Sequence, residues 1–196
     1  VGEATGRRKN GEAFTLQIVT GDLKGGPGAV ILLRDVTQIK AMEAKIKESE
    51  TRYRRMFELS PEAIITIRPT GQVTAVNDRV LDWLGYTPDE VIGQQLHELP
   101  FLPKASMATV GEMFKRRMMG EDVPPYDLEF RSKTGQKRIG NIMATSIPGE
   151  DGKPIEDLVV ISDVTVKRGA EEAIRQARDM ALESAQLKSQ FLANMS

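Results

Sequence analysis

Small and apolar side chains change their spacing along this chain in a way that divides it. From Gln38 to Leu59 they fall at Ile39, Met42, Ile46, Ser49, Tyr53 and Met56, alternating steps of three and four. That is the period of a helix with one apolar stripe, and Lys40, Glu43, Lys45, Lys47, Glu48 and Glu50 supply its solvated face. The same spacing returns from Val166 through Ala170, Ala173, Ala177, Met180, Ser184, Leu187 and Phe191. Between these rods the pattern becomes that of short strands at residues 63–67, 73–76, 126–130, 137–147 and 154–162. Asn77-Asp78 reads as the cap of a short helix carrying Val80, Leu81 and Leu84, closed by Gly85-Tyr86. Thr87-Pro88-Asp89-Glu90 opens another, ended by Gly93, and residues 104–119 form a longer one. Two strands, then helices, then three strands predict an α+β fold. It is an antiparallel five-stranded sheet with its helices on one face, flanked by coiled-coil helices.

The front of the chain repeats the end of this module. Lys9-Asn10-Gly11 recurs as Lys133-Thr134-Gly135, and Leu32-Leu33-Arg34-Asp35-Val36-Thr37 as Val160-Ile161-Ser162-Asp163-Val164-Thr165. The glycines differ by 135 − 11 = 124 and the aspartates by 163 − 35 = 128. A four-residue longer hairpin in the second copy, containing Gly149-Glu150-Asp151-Gly152, accounts for the difference. In the first copy a strand at 14–19 and another at 29–33 are joined by a turn at Gly25-Gly26-Pro27-Gly28. Two strands bury too little surface to stand alone, so residues 1–37 are expected to be the closing strands of a truncated module. Residues 38–59 follow as a helical linker. Residues 60–165 form the complete module, with a leading helix from about 53, and residues 166–196 the last helix.

That last helix has a seam and no partner of its own. At about 1.5 Å per residue it would extend about 45 Å, and Ala170, Ala173, Ala177, Met180, Ser184, Leu187 and Phe191 form one stripe along it. A second copy of the same helix is the simplest cover, which predicts a homodimer. Alanines and a serine make the first half of the seam weak, so its register is loosely set.

Composition narrows the chemistry. Lys+Arg 27 against Asp+Glu 28 gives a net charge of −1 over 196 residues, too balanced to gather nucleic acid or an anionic membrane. Lys115-Arg116-Arg117 has acidic neighbours at Glu112, Glu121 and Asp122 and no aromatic platform, so it reads as a solvated face rather than a nucleic-acid site. With no cysteine and one histidine, His97, neither a disulfide nor a thiolate metal site is available, and His97 reads as a surface residue. No Ser/His/Asp or Cys/His set and no phosphate loop suggests catalysis within the chain. No apolar run approaches the roughly 18 residues of a membrane span.

Asn77, Gly85-Tyr86, Glu90, Ile92-Gly93, the Gly135 hairpin and Asp163-Val164-Thr165, in this order, resemble a PAS domain over about residues 53–165. Leu187-Lys188-Ser189-Gln190-Phe191-Leu192-Ala193-Asn194-Met195-Ser196 resembles the opening of the dimerisation and phosphoacceptor helix of sensor histidine kinases. In that family the phosphoacceptor histidine follows directly, and ATP binds in a further domain. The double resemblance implies a cytoplasmic signal-input and coupling segment, whose response regulator is met by the parent's other domains and whose parent has room for a membrane anchor upstream. It also implies that Asp35, Thr37, Asp163 and Thr165 couple each sheet to the helix after it, with Lys167 and Arg168 as partners of Asp163. The local reading of each threonine is a helix cap accepting a first-turn amide. Ile65, Ile67, Val80, Leu84, Ile92, Met107, Val110, Phe130 and Ile142 would line any ligand pocket, though a filled core needs the same residues. No cofactor is expected. A flavin adduct needs a cysteine after the glycine at Gly93, and haem-binding relatives place a histidine on the long helix at 104–119; noncovalent flavin or another small ligand stays open. Two other readings are a PAS module feeding a cyclic-dinucleotide synthase and a stand-alone small-molecule-binding PAS protein.

Overall fold

Ile64, Ile65, Thr66 and Ile67 are β-branched in succession, a run that packs poorly in a helix and well on a pleated sheet. In the computed structural model, which describes residues 1–22 and 29–194, they lie in a central strand. The chain divides into two units, residues 1–56 and 57–196.

The second unit contains β4 (Ala63–Ile67), β5 (Val73–Val76), α2 (Asp78–Leu84), 3₁₀ turns at Pro88–Glu90 and Leu96–Glu98, α3 (Lys104–Met118), β6 (Tyr126–Arg131), β7 (Lys137–Pro148), β8 (Pro154–Asp163) and α4 (Thr165–Asn194). Its five strands run in the order β5-β4-β8-β7-β6, each pair antiparallel. Alternation along each strand gives the sheet an inner face of Ile65, Ile67, Leu128, Phe130, Ile142, Val159 and Ile161. Val80 and Leu84 from α2, Val91, Phe101, and Val110 from α3 close over it as one core. Trp83 and Phe101 flank Phe130 with ring centroids 5.4 and 6.2 Å away.

Two local devices hold the helical side. Asn77 is fully buried. Its Oδ1 accepts from Val80 N at 3.3 Å and Ile64 N at 2.9 Å, while Nδ2 donates to the carbonyls of Phe57 and Glu62. One side chain thus caps α2 and fastens it to β4. Where the sequence suggests a second short helix, a single 3₁₀ turn forms, because Thr87 and Glu90 make a capping box and Gly93 turns the chain at φ 86°. Lys133 Nζ, on the β6–β7 turn, reaches both oxygens of Glu90 at 2.7 and 2.8 Å.

The first unit contains β1 (Gly2–Arg7), β2 (Ala13–Asp22) and β3 (Ala29–Asp35), in the order β1-β2-β3, followed by α1 (Thr37–Glu58). Three strands therefore stand where the apolar pattern indicates two. Gly2-Glu3-Ala4-Thr5-Gly6-Arg7 has no hydrophobic alternation, and β1 is held by its backbone ladder to β2. Among the described residues of this unit only Val36 is buried, and Val30, Ile31, Leu32 and Leu33 are each more than half exposed. The predicted turn at Gly25–Gly28 lies outside the described residues.

A Cβ on Gly140 would sit 2.5 Å from Ile161 Cγ2 and 2.8 Å from Phe130 Cε2. Gly140→Ala should therefore lower unfolding stability by about 1–3 kcal/mol through overpacking, read as a lower urea midpoint with an unchanged slope. The Lys133 ammonium, and then the Thr87 amide, bring the Glu90 carboxyl down from 4.5 to about 2. A depressed carboxyl stabilises the fold above its unfolded value and stops doing so as pH falls through its folded value. The difference in melting temperature between wild type and Glu90→Gln should thus be full above about pH 5 and close toward pH 2.

Candidate functional site

The last strand passes into the last helix through three residues that are bonded on both sides. Asp163 Oδ1 accepts from Thr165 N at 2.9 Å and from Thr165 Oγ1 at 2.5 Å. Thr165 Oγ1 in turn accepts from Ile139 N on β7 at 2.9 Å, and Val164 N donates to the Ile139 carbonyl at 2.9 Å. The capping arrangement expected from sequence is therefore inverted: the aspartate accepts the helix amide, and the threonine hydroxyl ties the helix to the neighbouring strand. An aspartate bonds readily to the backbone two residues ahead, which leaves the hydroxyl free for β7.

The partners of Asp163 also differ from those expected. Trp83 Nε1, on α2, donates to Oδ2 at 2.6 Å, and Arg138 Nη1 stands 3.9 Å away. Lys167 and Arg168 do not take this place; Arg168 pairs with Asp127 and Glu171. Partial burial pushes the Asp163 carboxyl up, but the bonds from Thr165 and Trp83 outweigh it and hold the group below the usual carboxylate range. The contribution of Trp83 is not visible in the apolar pattern. The one signal for it is that an indole N–H, once buried, needs an acceptor.

Asp35 and Thr37 form the same junction in the first unit. Asp35 Oδ1 accepts from Thr37 N at 3.0 Å and Oγ1 at 2.7 Å. Thr37 Oγ1 accepts from Thr15 N, and Val36 N donates to the Thr15 carbonyl, both at 2.9 Å. Thr15 and Ile139 differ by 139 − 15 = 124, and Thr37 and Thr165 by 165 − 37 = 128, so the offsets read from the sequence reappear in the hydrogen bonds. The carboxyl of Asp35 meets Arg8 instead of an indole.

The core contains a cavity of about 30 Å³, room for roughly one water molecule. Five of the nine residues expected around a pocket line it: Ile65, Ile67, Val110, Phe130 and Ile142. Val80 and Leu84 are buried in the same core without facing the cavity. Met107 borders a separate surface groove beside His97. Ile92 is 41% exposed and lines neither, because it leaves the Pro88–Glu90 turn on the solvent side.

Arg117 is buried, and its surroundings are charged. Sequence places it on a solvated helix face, yet it is 5% exposed, with Nε and Nη2 on the fully buried carboxylate of Asp157 at 2.7–3.1 Å. Burial pushes the guanidinium pKa down, but the Asp157 carboxylate more than reverses this and keeps it charged. The readable signal was Asp157 itself, in phase with Val159 and Ile161 on the inward face of β8.

The seam expected on α4 is exposed throughout its described side chains: Ala170, Ala173, Ala177, Met180, Ser184 and Leu187. Within the terminal motif, Ser189 and residues 191–196, Phe191 among them, lie outside the described side chains. Ile174, 70% exposed, widens the apolar face beyond the expected stripe. No helix among the described residues is long and apolar enough to cross a membrane.

A family model for the PAS domain matches residues 61–166. The chain belongs to the PAS domain family. It is 30% identical over 162 residues to the two-component sensor PprA of Pseudomonas aeruginosa, covering 82% of this chain and 17% of that protein. It spans less than a fifth of the length of the curated relatives it matches. Among solved structures, the PAS domain of an HTR-like protein from Haloarcula marismortui superposes with a TM-score of 0.52 at 23% identity, over 63% of this chain and 98% of that one. A sensory box histidine kinase/response regulator from Burkholderia thailandensis gives 0.53 at 18% identity, over 67% and 98%. These structural likenesses show the PAS fold.

The buried pair in this PAS core generates a testable asymmetry. Asp157→Leu strands a charged guanidinium in the core and should cost about 3–5 kcal/mol, whereas Arg117→Met combined with Asp157→Leu should unfold at or above the wild-type urea midpoint.

Proposed function

We propose that this chain is the sensory-input and coupling region of a two-component sensor histidine kinase. The observation that carries the reading is the junction, where Asp163 and Thr165 join β7, β8 and α2 to the root of a long helix with an uncovered apolar face. The similarity to a two-component sensor and the terminal Lys188-Ser189-Gln190-Phe191-Leu192-Ala193-Asn194-Met195-Ser196 motif support it. In this role two copies pair along α4 as a coiled coil. A change in the PAS core repacks the helix pair and moves a phosphoacceptor histidine beyond Ser196, and a response regulator receives the phosphoryl group. Residues 1–37 are then the end of a preceding PAS domain. A cavity of about 30 Å³ supports a core that works filled, or with a very small ligand, rather than around a large cofactor.

Residues 1–196 contain no cysteine, so Ala177→Cys, in a full-length sensor with any cysteines elsewhere replaced by serine, introduces a unique thiol on the proposed seam. Mild oxidation of the full-length sensor should give a crosslinked dimer and hold autophosphorylation at one level whatever the stimulus, while Arg175→Cys, on the opposite face, should do neither. Monomeric Ala177→Cys protein under oxidation, or output that still follows the stimulus when crosslinked, would overturn the reading.

A further inference from the structure

We propose that the charge pair between Arg168 and Asp127 is a positioning link that fastens the first turn of α4 to β6, so that movement of β6 enters the helix directly. Arg168 Nε lies 2.5 Å from Asp127 Oδ2, and Asp127 is held in turn by Asn141 Nδ2 at 2.7 Å, its cross-strand partner on β7. Without this link α4 is attached to β8 by the chain, at Asp163 where the Trp83 indole of α2 holds the end of the strand, and to β7 by the Thr165–Ile139 bond. Two attachments leave the helix free to swing about the line that joins them. A third, on the next strand over, sets its angle.

The strand that provides this third attachment also walls the core. Side chains alternate along β6, and Tyr126 and Leu128 line the cavity while Asp127 between them turns to the other face. Any change that displaces Tyr126 or Leu128 therefore displaces the anchor of the helix, with no intervening element.

The first unit repeats the device with other residues. Lys40 Nζ lies 2.7 Å from Glu3 Oε1. The acidic positions differ by 127 − 3 = 124 and the basic ones by 168 − 40 = 128, the same offsets that relate the two junctions. Both residues have changed identity, yet the sign of each charge and the contact are retained. The backbone and threonine bonds of the junction recur as well, but the outer partners of its aspartate do not: Asp35 meets Arg8, whereas Asp163 meets Trp83 and Arg138. Half-exposed ion pairs add little to stability. Retention in two diverged copies is therefore better accounted for by where the pair holds the helix than by how strongly it holds the fold.

The inference rests on the coupling role proposed above for its consequence, but not for its test. Two spin labels, at Thr145→Cys on β7 and Arg178→Cys on α4, report the helix angle in this cysteine-free chain, with excess unlabelled chain to suppress distances between copies. Asp127→Lys should broaden the distance distribution about twofold while leaving the melting temperature near that of the parent. The charge swap Asp127→Lys with Arg168→Glu should restore the narrow distribution, and so should the pair borrowed from the first copy, Asp127→Glu with Arg168→Lys. An unchanged distribution in Asp127→Lys, or no recovery in either double variant, overturns the link. Stimulus-dependent autophosphorylation of the full-length sensor is read separately: a loosened helix with unaltered output counts against the coupling role and leaves the anchor standing.

Discussion

The antiparallel ladder between β7 and β8 is the constraint on which the rest of the PAS unit depends. It pairs the two longest strands from Pro148↔Pro154 to Gly140↔Asp163. Its inward positions bring Asp157, Val159 and Ile161 into the core, and its end delivers Asp163 and Ile139 to the root of α4. Because side chains alternate, one register decides both matters together: a shift by one residue would expose the core set and remove Thr165 from the Ile139 amide that donates to it on β7. Gly140 belongs to the same constraint, since Ile161, Phe130 and Trp83 occupy the space where its side chain would be. The aromatic packing is thus continuous with the indole that bonds Asp163.

A second tension lies within the core. Arg117 and Asp157 are an ion pair with nearly no exposure, and burying such charges is costly unless the geometry repays it. Here the repayment is three bonds to one carboxylate. The pair joins α3 to β8 at the wall of the small cavity, so the long helix and the strand that leads to α4 are bound by charge as well as by apolar contact. Apolar packing tolerates sliding; this pairing has a direction and does not.

The two units show what a helical layer adds to a sheet of this kind. Both have the same closing strands, the same junction and the same handover to a long helix. In one, helices cover the sheet and its inner residues are buried; in the other, Val30, Ile31, Leu32 and Leu33 remain open. The junction forms equally well in both, because it is built from strand backbone and two polar side chains. A junction of this kind is separable from a covered core, and among the described residues it recurs at both points where a sheet is followed by a long helix.

The strands of the complete module, the caps at Asn77 and Gly85, the repeat and both long helices were legible in the amino-acid sequence, because each is written in a local period or in a residue whose backbone preference is strong. Asp35, Thr37, Asp163 and Thr165 stood out through the repeat, and a handover from strand to helix at these positions was implied by the resemblance. What each of them touches was not. β1 has no apolar alternation and exists through its ladder to β2. Ile92 left the core, and Arg117 entered it, because the direction of a side chain on a short turn or a charged helix face is settled by what packs above it. Trp83 and Arg138, rather than Lys167 and Arg168, meet Asp163, since these come from elements distant in the chain. Periodicity determines which stretches become strands and helices; only the tertiary structure decides which polar group finds which partner, because a buried donor or charge is satisfied by whatever the packed neighbours bring within about 3 Å.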